Sequence, residues 1–482
     1  MANSSPTALL ALVSWLPTVN YLFIRFPPRR AIVISFITAW LFLPEANIPL
    51  PGLPDLTKVS VTCYGILLAT SIFDIGRFNS FKFSWLDLPM LIWCLVPIPS
   101  SLTNSLGIYD GLSSALDQIV VWGLPYFLGR IYLNNLSGLR QLASGIFIGG
   151  LVYIPLCLLE MAISPQLHKI VYGYHAHDFR QTIRYGGYRP TVFMHHGLAV
   201  GAWMMAATLV GIWLWKTGVI KQIWGIPIRI LVPILFVTFV LCKSTGAWVL
   251  LPIGLLILFM CNRLRTALPV FLIAVFIWVY IGIGVNGIFH ASDYKDQFVQ
   301  FLTEATNPDR AQSMEFRFDN ELVLTEHARK QMIFGWGGWG RHIVPMDPTS
   351  PWSRDAVPDS LWINAFGMRG VVGVFSLFSA MLLPLVSLFW LRYPARSWSN
   401  RQVAPVAALG VILLLYMVDC LMNAMVNPIF ILACGGIAGA ALKKPETKRA
   451  KKFIVTKVRY VVAQRRQQQS RLSSQEPSMT KS

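Results

Sequence analysis

Residues 266–285 read TALPVFLIAVFIWVYIGIGV, a stretch without one charged side chain. An α-helix rises about 1.5 Å per residue, so a run of this length spans the roughly 30 Å hydrocarbon layer of a bilayer. Arg263 and Arg265 lie just before it, and a polar, acid-rich segment follows. It reads as a membrane-spanning helix with unlike flanks.

Working outward, further apolar runs lie roughly at 7–25, 31–44, 59–74, 85–102, 111–129, 139–160, 194–214, 225–242, 246–261, 363–391, 403–419 and 424–441. The second and third are short, which leaves room for a tilted or re-entrant piece. The expected fold is all-α: a polytopic transmembrane helix bundle of about 12–14 spans, with a large extracytoplasmic loop containing a short amphipathic helix. Composition agrees. Of 482 residues 55% are hydrophobic and 13% charged, against about 25% charged in a soluble domain, and mean hydropathy is +0.54.

The charges set the expected orientation. Arg25, Arg29 and Arg30 follow the first span, Arg77 and Lys82 the third, Arg130 and Arg140 the fifth. Lys216, Lys221 and Arg229 follow the seventh, Arg263 and Arg265 the ninth, Arg392, Arg396 and Arg401 the eleventh. Every second connection is basic, as the positive-inside rule requires of cytoplasmic loops. Residues 1–442 therefore form the transmembrane domain, with extracytoplasmic connections at about 161–193 and 286–362. Residues 443–482 form a basic cytoplasmic tail, with twelve Lys/Arg against Glu446 and Glu476, over half of the net +19. Such a tail is drawn to anionic lipid, and its Gln- and Ser-rich end reads as disordered. It lacks the aromatic interleaving of a nucleic-acid binder, Phe453 and Tyr460 apart. No cationic, cleavable leader is expected at the amino end. The seven cysteines, in or beside apolar runs and without metal-ligand spacing, are expected to be packing residues.

Polar chemistry gathers on the other side. The connection 286–362 holds eleven of the 22 acidic residues, and all eight histidines fall in the long connections or at a span mouth. Within it a helix is expected over Glu321–Met332, capped by Asp319 or Asn320. Its polar side carries Glu321, Glu326, Arg329 and Lys330. Four stretches are candidates for chemistry. Tyr188–Gly197 sets Arg189, His195 and His196 at the mouth of a span, where Arg189 is either a phosphate-binding fork or a snorkelling interfacial residue. Lys243-Ser244-Thr245-Gly246 puts a lysine on the face that lacks them, either toward a cavity or in a short turn. Phe334–Arg341 matches G-x-G-x-x-G in form, but no βαβ unit surrounds it. It reads as a turn allowing close backbone approach, with Trp336 and Trp339 as faces for a sugar ring. Asp359, at the mouth of the next span, is either a helix cap or a base for a hydroxyl.

In this order the pieces resemble the O-antigen ligase/polymerase superfamily of membrane glycosyltransferases. The resemblance is carried by Arg189–Leu198, Lys243–Gly246, Arg317 ahead of a loop helix, Phe334–Gly337, and Asp359-Ser360 followed by Gly370–Gly373, across roughly 185–385. It implies transfer of a glycan from a polyprenyl-diphosphate carrier to an acceptor sugar hydroxyl during surface polysaccharide biosynthesis. It further implies a bacterial inner membrane, no nucleotide sugar, no cofactor and no metal. Without a metal the leaving diphosphate needs cations, and Arg189, Arg317, Arg341 and Lys243 are the candidates. The family's ligases carry histidine at the position of Asp359, which favours a polymerase and leaves Asp359, His195 and His196 as candidate bases. A ligase acting on a lipid acceptor, a flippase for lipid-linked glycans, a secondary transporter and a non-catalytic scaffold are the rival readings.

Overall fold

The computed structural model describes residues 5–50, 52–287, 308–347, 349–350 and 353–443. Of the described residues 72% are helical. Each apolar run has become helix: α1 (Pro6–Arg25), α2 (Pro28–Phe42), α3 (Lys58–Phe73), α4 (Leu88–Leu95), α5 (Pro97–Thr103), α6 (Ile108–Gln118) and α7 (Leu124–Tyr132). These are followed by α8 (Leu136–Ile163), the short α9 (Leu167–Tyr172), α10 (Gly197–Lys216), α11 (Ile228–Leu241), α12 (Thr245–Leu264) and α13 (Leu268–Asn286). Beyond them lie α14 (Pro308–Arg329), α15 (Leu361–Ser387), α16 (Ala404–Asp419) and α17 (Pro428–Leu442). Among the described residues seven helices are long and apolar enough to cross a membrane. Among the described residues the strands form three two-stranded antiparallel hairpins in connections. The compact unit runs from Met1 to Ala441; the expected basic tail lies outside the described residues beyond Lys443.

Helices α10, α16 and α17 form the centre. Every residue from Ala404 to Met417 and from Pro428 to Ala441 is buried, and α10 packs against α8, α11, α12 and α16. The periphery is apolar outward. On α13 the exposed Leu268, Leu272, Val275, Phe276 and Val279 form one stripe, a surface that water penalises and lipid does not. The seven cysteines are buried free thiols.

Loops segregate to two ends. On the basic end Arg140 donates to the Val219 carbonyl at 3.4 Å and Arg392 to that of Ala441 at 2.7 Å. On the other end Asn104 donates to the Gly335 carbonyl at 2.7 Å and Arg317 to that of Met422 at 2.6 Å. Two helices begin later than hydropathy implies. Residues 194–196 and 424–427, read as membrane-spanning, are loop instead. The loop helix also differs. It runs Pro308–Arg329 rather than Glu321–Met332, and Asn320 is no cap. Its side chain is spent inside, donating to the Phe316 carbonyl and accepting from the Val357 N–H at 2.7 Å. Glu321, expected in water, is buried.

Helix α15 is broken at Gly370 (φ 64°, ψ −163°). The broken ends are spliced by the turn after α14. The N–H groups of Trp336 and Gly337 donate to the carbonyls of Gly367 (2.8 Å) and Met368 (3.1 Å). Those of Val371 and Val372 donate to Met332 (2.8 Å) and Ile333 (3.3 Å). The expected close backbone approach of the glycine turn is thus made to another segment of the same chain.

A Cβ at Gly370 would lie 2.3 Å from the Ile333 oxygen, and one at Gly335 (φ 68°) 2.5 Å from the Arg369 nitrogen. Gly370→Ala and Gly335→Ala are therefore expected to cost about 2–4 kcal/mol each, from backbone strain and overpacking. Gly282→Ala, with nothing within 4 Å of its Cβ, should be tolerated. Thermal unfolding of the purified variants checks this; equal midpoints for all three would remove the splice from any structural role.

Candidate functional site

Arg317 on α14 is held by the segment that follows α16. Its Nη1 donates to the Met422 carbonyl at 2.6 Å, and both Nη atoms lie 3.4 Å from Asn423 Oδ1. Asn423 in turn donates to Asp419 Oδ1 at 2.8 Å. The remaining Nε faces Asp359 Oδ2 at 3.8 Å. Asp359 does not cap α15: Ser360 occupies the cap position and makes no side-chain capping bond. The entry of α15 is fixed instead by the Leu361 N–H, which donates to the Cys420 carbonyl at 3.0 Å. Burial raises the Asp359 carboxyl above its usual value, with Arg317 pulling it down. The result is a rigid cation beside a half-exposed carboxylate of enhanced basicity.

Glu321 sits one helical turn beyond Arg317 and faces the Tyr280 hydroxyl, 3.4 Å from both carboxyl oxygens. Burial pushes its carboxyl up to about 8, while Tyr280 pulls the other way. Burial thus favours its protonated form, which buries at far lower cost than the anion. Glu321 lines two spaces at once. One is the small cleft of Arg317, Asp359, Ser360 and Met422. The other is an apolar groove of about 220 Å³ between Phe276, Val279, Ile283 and Phe318.

The other candidates fall into separate groups. Arg189 is buried and donates through Nε and Nη2 to the Lys243 carbonyl at 3.3 Å. Lys243 reaches back to the carbonyls of Arg184 and Tyr185, at 3.2 and 3.4 Å. The His196 ring caps α10, accepting from the Leu198 N–H at 3.0 Å, and its Nε2 meets Gln181 Oε1 at 3.0 Å. Burial, with His177 and Arg189 nearby, lowers that ring to about 3. The loop itself hangs from Glu160, whose carboxyl accepts from the N–H groups of Thr191 (2.8 Å) and Val192 (2.7 Å).

A third group lies against α5 and α6. Arg341 donates to the Asn104 carbonyl at 3.0 Å. Trp336 stacks on His327 at 4.3 Å, so one of its faces is covered. Trp339 stands 83% exposed, its indole N–H donating to Asp110 Oδ1. Of the nine candidates, then, Arg317 and Asp359 meet, Arg189 and Lys243 meet beside His196, and Arg341, Trp336 and Trp339 share one collar.

His195 joins none of these. Its partners are Glu45, whose Oε1 accepts from the His195 N–H at 2.9 Å, and Lys58, paired with the same oxygen at 2.5 Å. Sequence reading passed over both, yet a signal was present. Lys58 breaks the charge alternation just as Lys243 does. Among the described residues no group of three His, Cys, Asp or Glu is arranged to hold a metal. A cavity of about 640 Å³ between α2 and α8, near Arg30 and Arg140, belongs to the basic end.

A carboxyl whose value is raised on folding favours the native state while protonated, and that contribution fades as pH climbs from the unfolded value toward about 8. Glu321→Gln should therefore raise the melting midpoint by on the order of a degree or two at pH 8.5 and by less at pH 5. A difference that does not change with pH would show that Glu321 carries charge in the folded protein.

No protein-family model matches the chain, and no curated protein matches it either.

Proposed function

We propose that the protein is a membrane glycosyltransferase that moves a polyprenyl-diphosphate-linked oligosaccharide onto an acceptor sugar hydroxyl, extending a surface polysaccharide. The observation that carries this reading is the junction at Glu321. An apolar groove opening beside the lipid-facing stripe of α13 ends at a carboxyl that also lines the Arg317–Asp359 cleft. A long apolar tail with an anionic head fits such a junction, and a nucleotide sugar makes no use of it. In the proposed step the acceptor oxygen bonds to the anomeric carbon and its proton passes to Asp359. The bond from that carbon to the diphosphate oxygen breaks, and the diphosphate leaves with the electron pair, its charge met by Arg317. In this reading Arg189, with Lys243, serves the loop beside the site, and Trp339 offers a free face to the glycan.

The accompanying topology has all thirteen apolar segments crossing a bacterial inner membrane. It puts the acid-rich end outside, and the basic end with the carboxy-terminal tail in the cytoplasm. Since the native thiols are buried, Trp339→Cys should react with an impermeant maleimide on intact cells and Lys221→Cys only after permeabilisation. The reverse pattern would invert the proposed orientation.

In the native organism, deletion should collapse long surface chains toward a single repeat. At equal expression, Arg317→Ala and Asp359→Asn should restore about 10²-fold less polymerisation than wild type. Full-length chains stranded on the lipid carrier would instead identify a ligase. An unchanged glycan profile on deletion would defeat the glycosyltransferase reading.

A further inference from the structure

Glu45 lies in the short connection between α2 and α3, and the fold fixes it on nearly every polar atom. Its N–H donates to His168 Nε2 at 3.2 Å, and its carbonyl accepts from the Tyr174 hydroxyl at 2.9 Å. Its Oε1 takes the Lys58 ammonium and the His195 N–H, with His195 Nδ1 3.8 Å away. Lys58, only 5% exposed, stands over the Trp40 ring at 4.2 Å and donates to the Trp40 carbonyl at 3.3 Å. A buried ion pair is a poor source of stability, because desolvation consumes what attraction returns. So many bonds spent on one loop carboxylate are instead the mark of preorganisation.

Beside this carboxylate lies a cavity of about 320 Å³, lined by Trp40, Glu45, Asn47, Lys58, His195 and Ala424 among others. Its walls are not fully satisfied. Among the described residues Glu45 Oε2 accepts no hydrogen bond, both contacts going to Oε1. The buried Trp40 indole Nε1–H likewise has no partner. The cavity thus offers an unused acceptor, Glu45 Oε2, while the indole N–H is sealed behind its wall. Burial would raise the Glu45 carboxyl, but Lys58 and then His195 outweigh it and hold it below its usual value, so it stays ionised. Its charge is cancelled by Lys58. An anion entering here meets a carboxylate and a cation meets an ammonium. A neutral ligand with hydroxyl groups meets neither penalty and can donate to Glu45 Oε2. The size is at the lower end for ligand pockets.

The position matters as much as the lining. Met425 Sδ touches His195 Nε2 at 2.6 Å, and Ala424 and Val426 line the cavity. Just before them, Met422 and Asn423 hold Arg317. Four residues of chain reach at most about 14 Å, so the cavity and the Arg317–Asp359 cleft lie on either side of one short strip.

We infer that this cavity binds the neutral acceptor saccharide, its hydroxyls donating to Glu45 Oε2. Lys58 and His195 act as positioning residues. The assignment rests on the glycosyl-transfer reading for the word acceptor; the saccharide site itself rests on the cavity.

The test uses the full-length protein in lipid nanodiscs and saturation-transfer NMR. The probes are a panel of neutral methyl glycosides (gluco, galacto, manno, rhamno and N-acetylglucosamine), with glucuronate and inorganic phosphate as anionic counterparts. At least one neutral glycoside should bind. Affinity should fall about tenfold or more in Glu45→Gln, through loss of a charge-assisted bond, and similarly in Ala424→Trp, which fills the cavity while leaving both members of the buried pair in the sequence. Arg317→Ala should keep the binding. If no neutral glycoside binds, if the anions bind better, or if both cavity variants bind as wild type with wild-type melting midpoints, the inference falls. Transfer from a polyprenyl-diphosphate oligosaccharide is assayed in parallel. Cavity-dependent sugar binding without transfer by wild type would overturn the glycosyltransferase reading and the acceptor role, while upholding the saccharide site.

Discussion

Within a bilayer a helix can be interrupted only where the freed amides and carbonyls find new partners, and α15 meets that condition at Gly370. The turn after α14 supplies both, so the interruption and the loop are one construction. Ser100 Oγ adds a bond to the Met368 carbonyl at 2.9 Å, and Asn104 grips Gly335 from α5. Much else hangs from this splice. It fixes where α14 ends, hence which side chains of α14 face the bundle, and so brings Arg317 to the segment after α16. A continuous α15 would take from Met332, Ile333, Trp336 and Gly337 the backbone partners they find at the break.

A second device recurs at this end of the molecule: single buried carboxyl groups that organise loop backbone. Glu160 gathers the N–H groups of Thr191, Val192 and Leu167, and Glu45 gathers that of His195. Loops otherwise expose backbone to water. Here they are folded inward over the helix ends, and the carboxyl groups replace the lost solvent. The polar end therefore keeps this loop backbone hydrogen-bonded as a core does, and backbone held in this way is what positioned chemistry needs.

Helix existence was legible in hydropathy because lipid imposes one rule over some twenty residues at a time. The segregation of basic loops to one end was legible for the same reason, since it is repeated many times along the chain. What escaped was whatever depends on a few residues. The apolar runs that follow invite α10 to begin at 194 and α17 at 424, yet both stretches are loop, with Glu160 and Arg317 taking hold of the backbone nearby. These two misread margins meet each other at His195 and Met425. Glu321 looked like the wet side of a surface helix, since no local pattern records that Tyr280 waits on α13. Arg317 and Asp359 were visible singly; their meeting is tertiary. Glu45 and Lys58 lie in a connection too short to draw notice, and Lys58 alone, a cation out of phase, gave a hint.

The strip from Met422 to Val426 has a further consequence. Its members divide between two polar spaces, with Met422 and Asn423 serving one and Ala424 and Val426 the other. A partition this thin cannot be altered on one side alone. Any variant that reshapes the strip changes both compartments together, so preferences expressed on its two sides are inherited as a pair. Relatives that diverge in one would diverge in the other, and swapping this strip between them would carry both traits across in a single short segment.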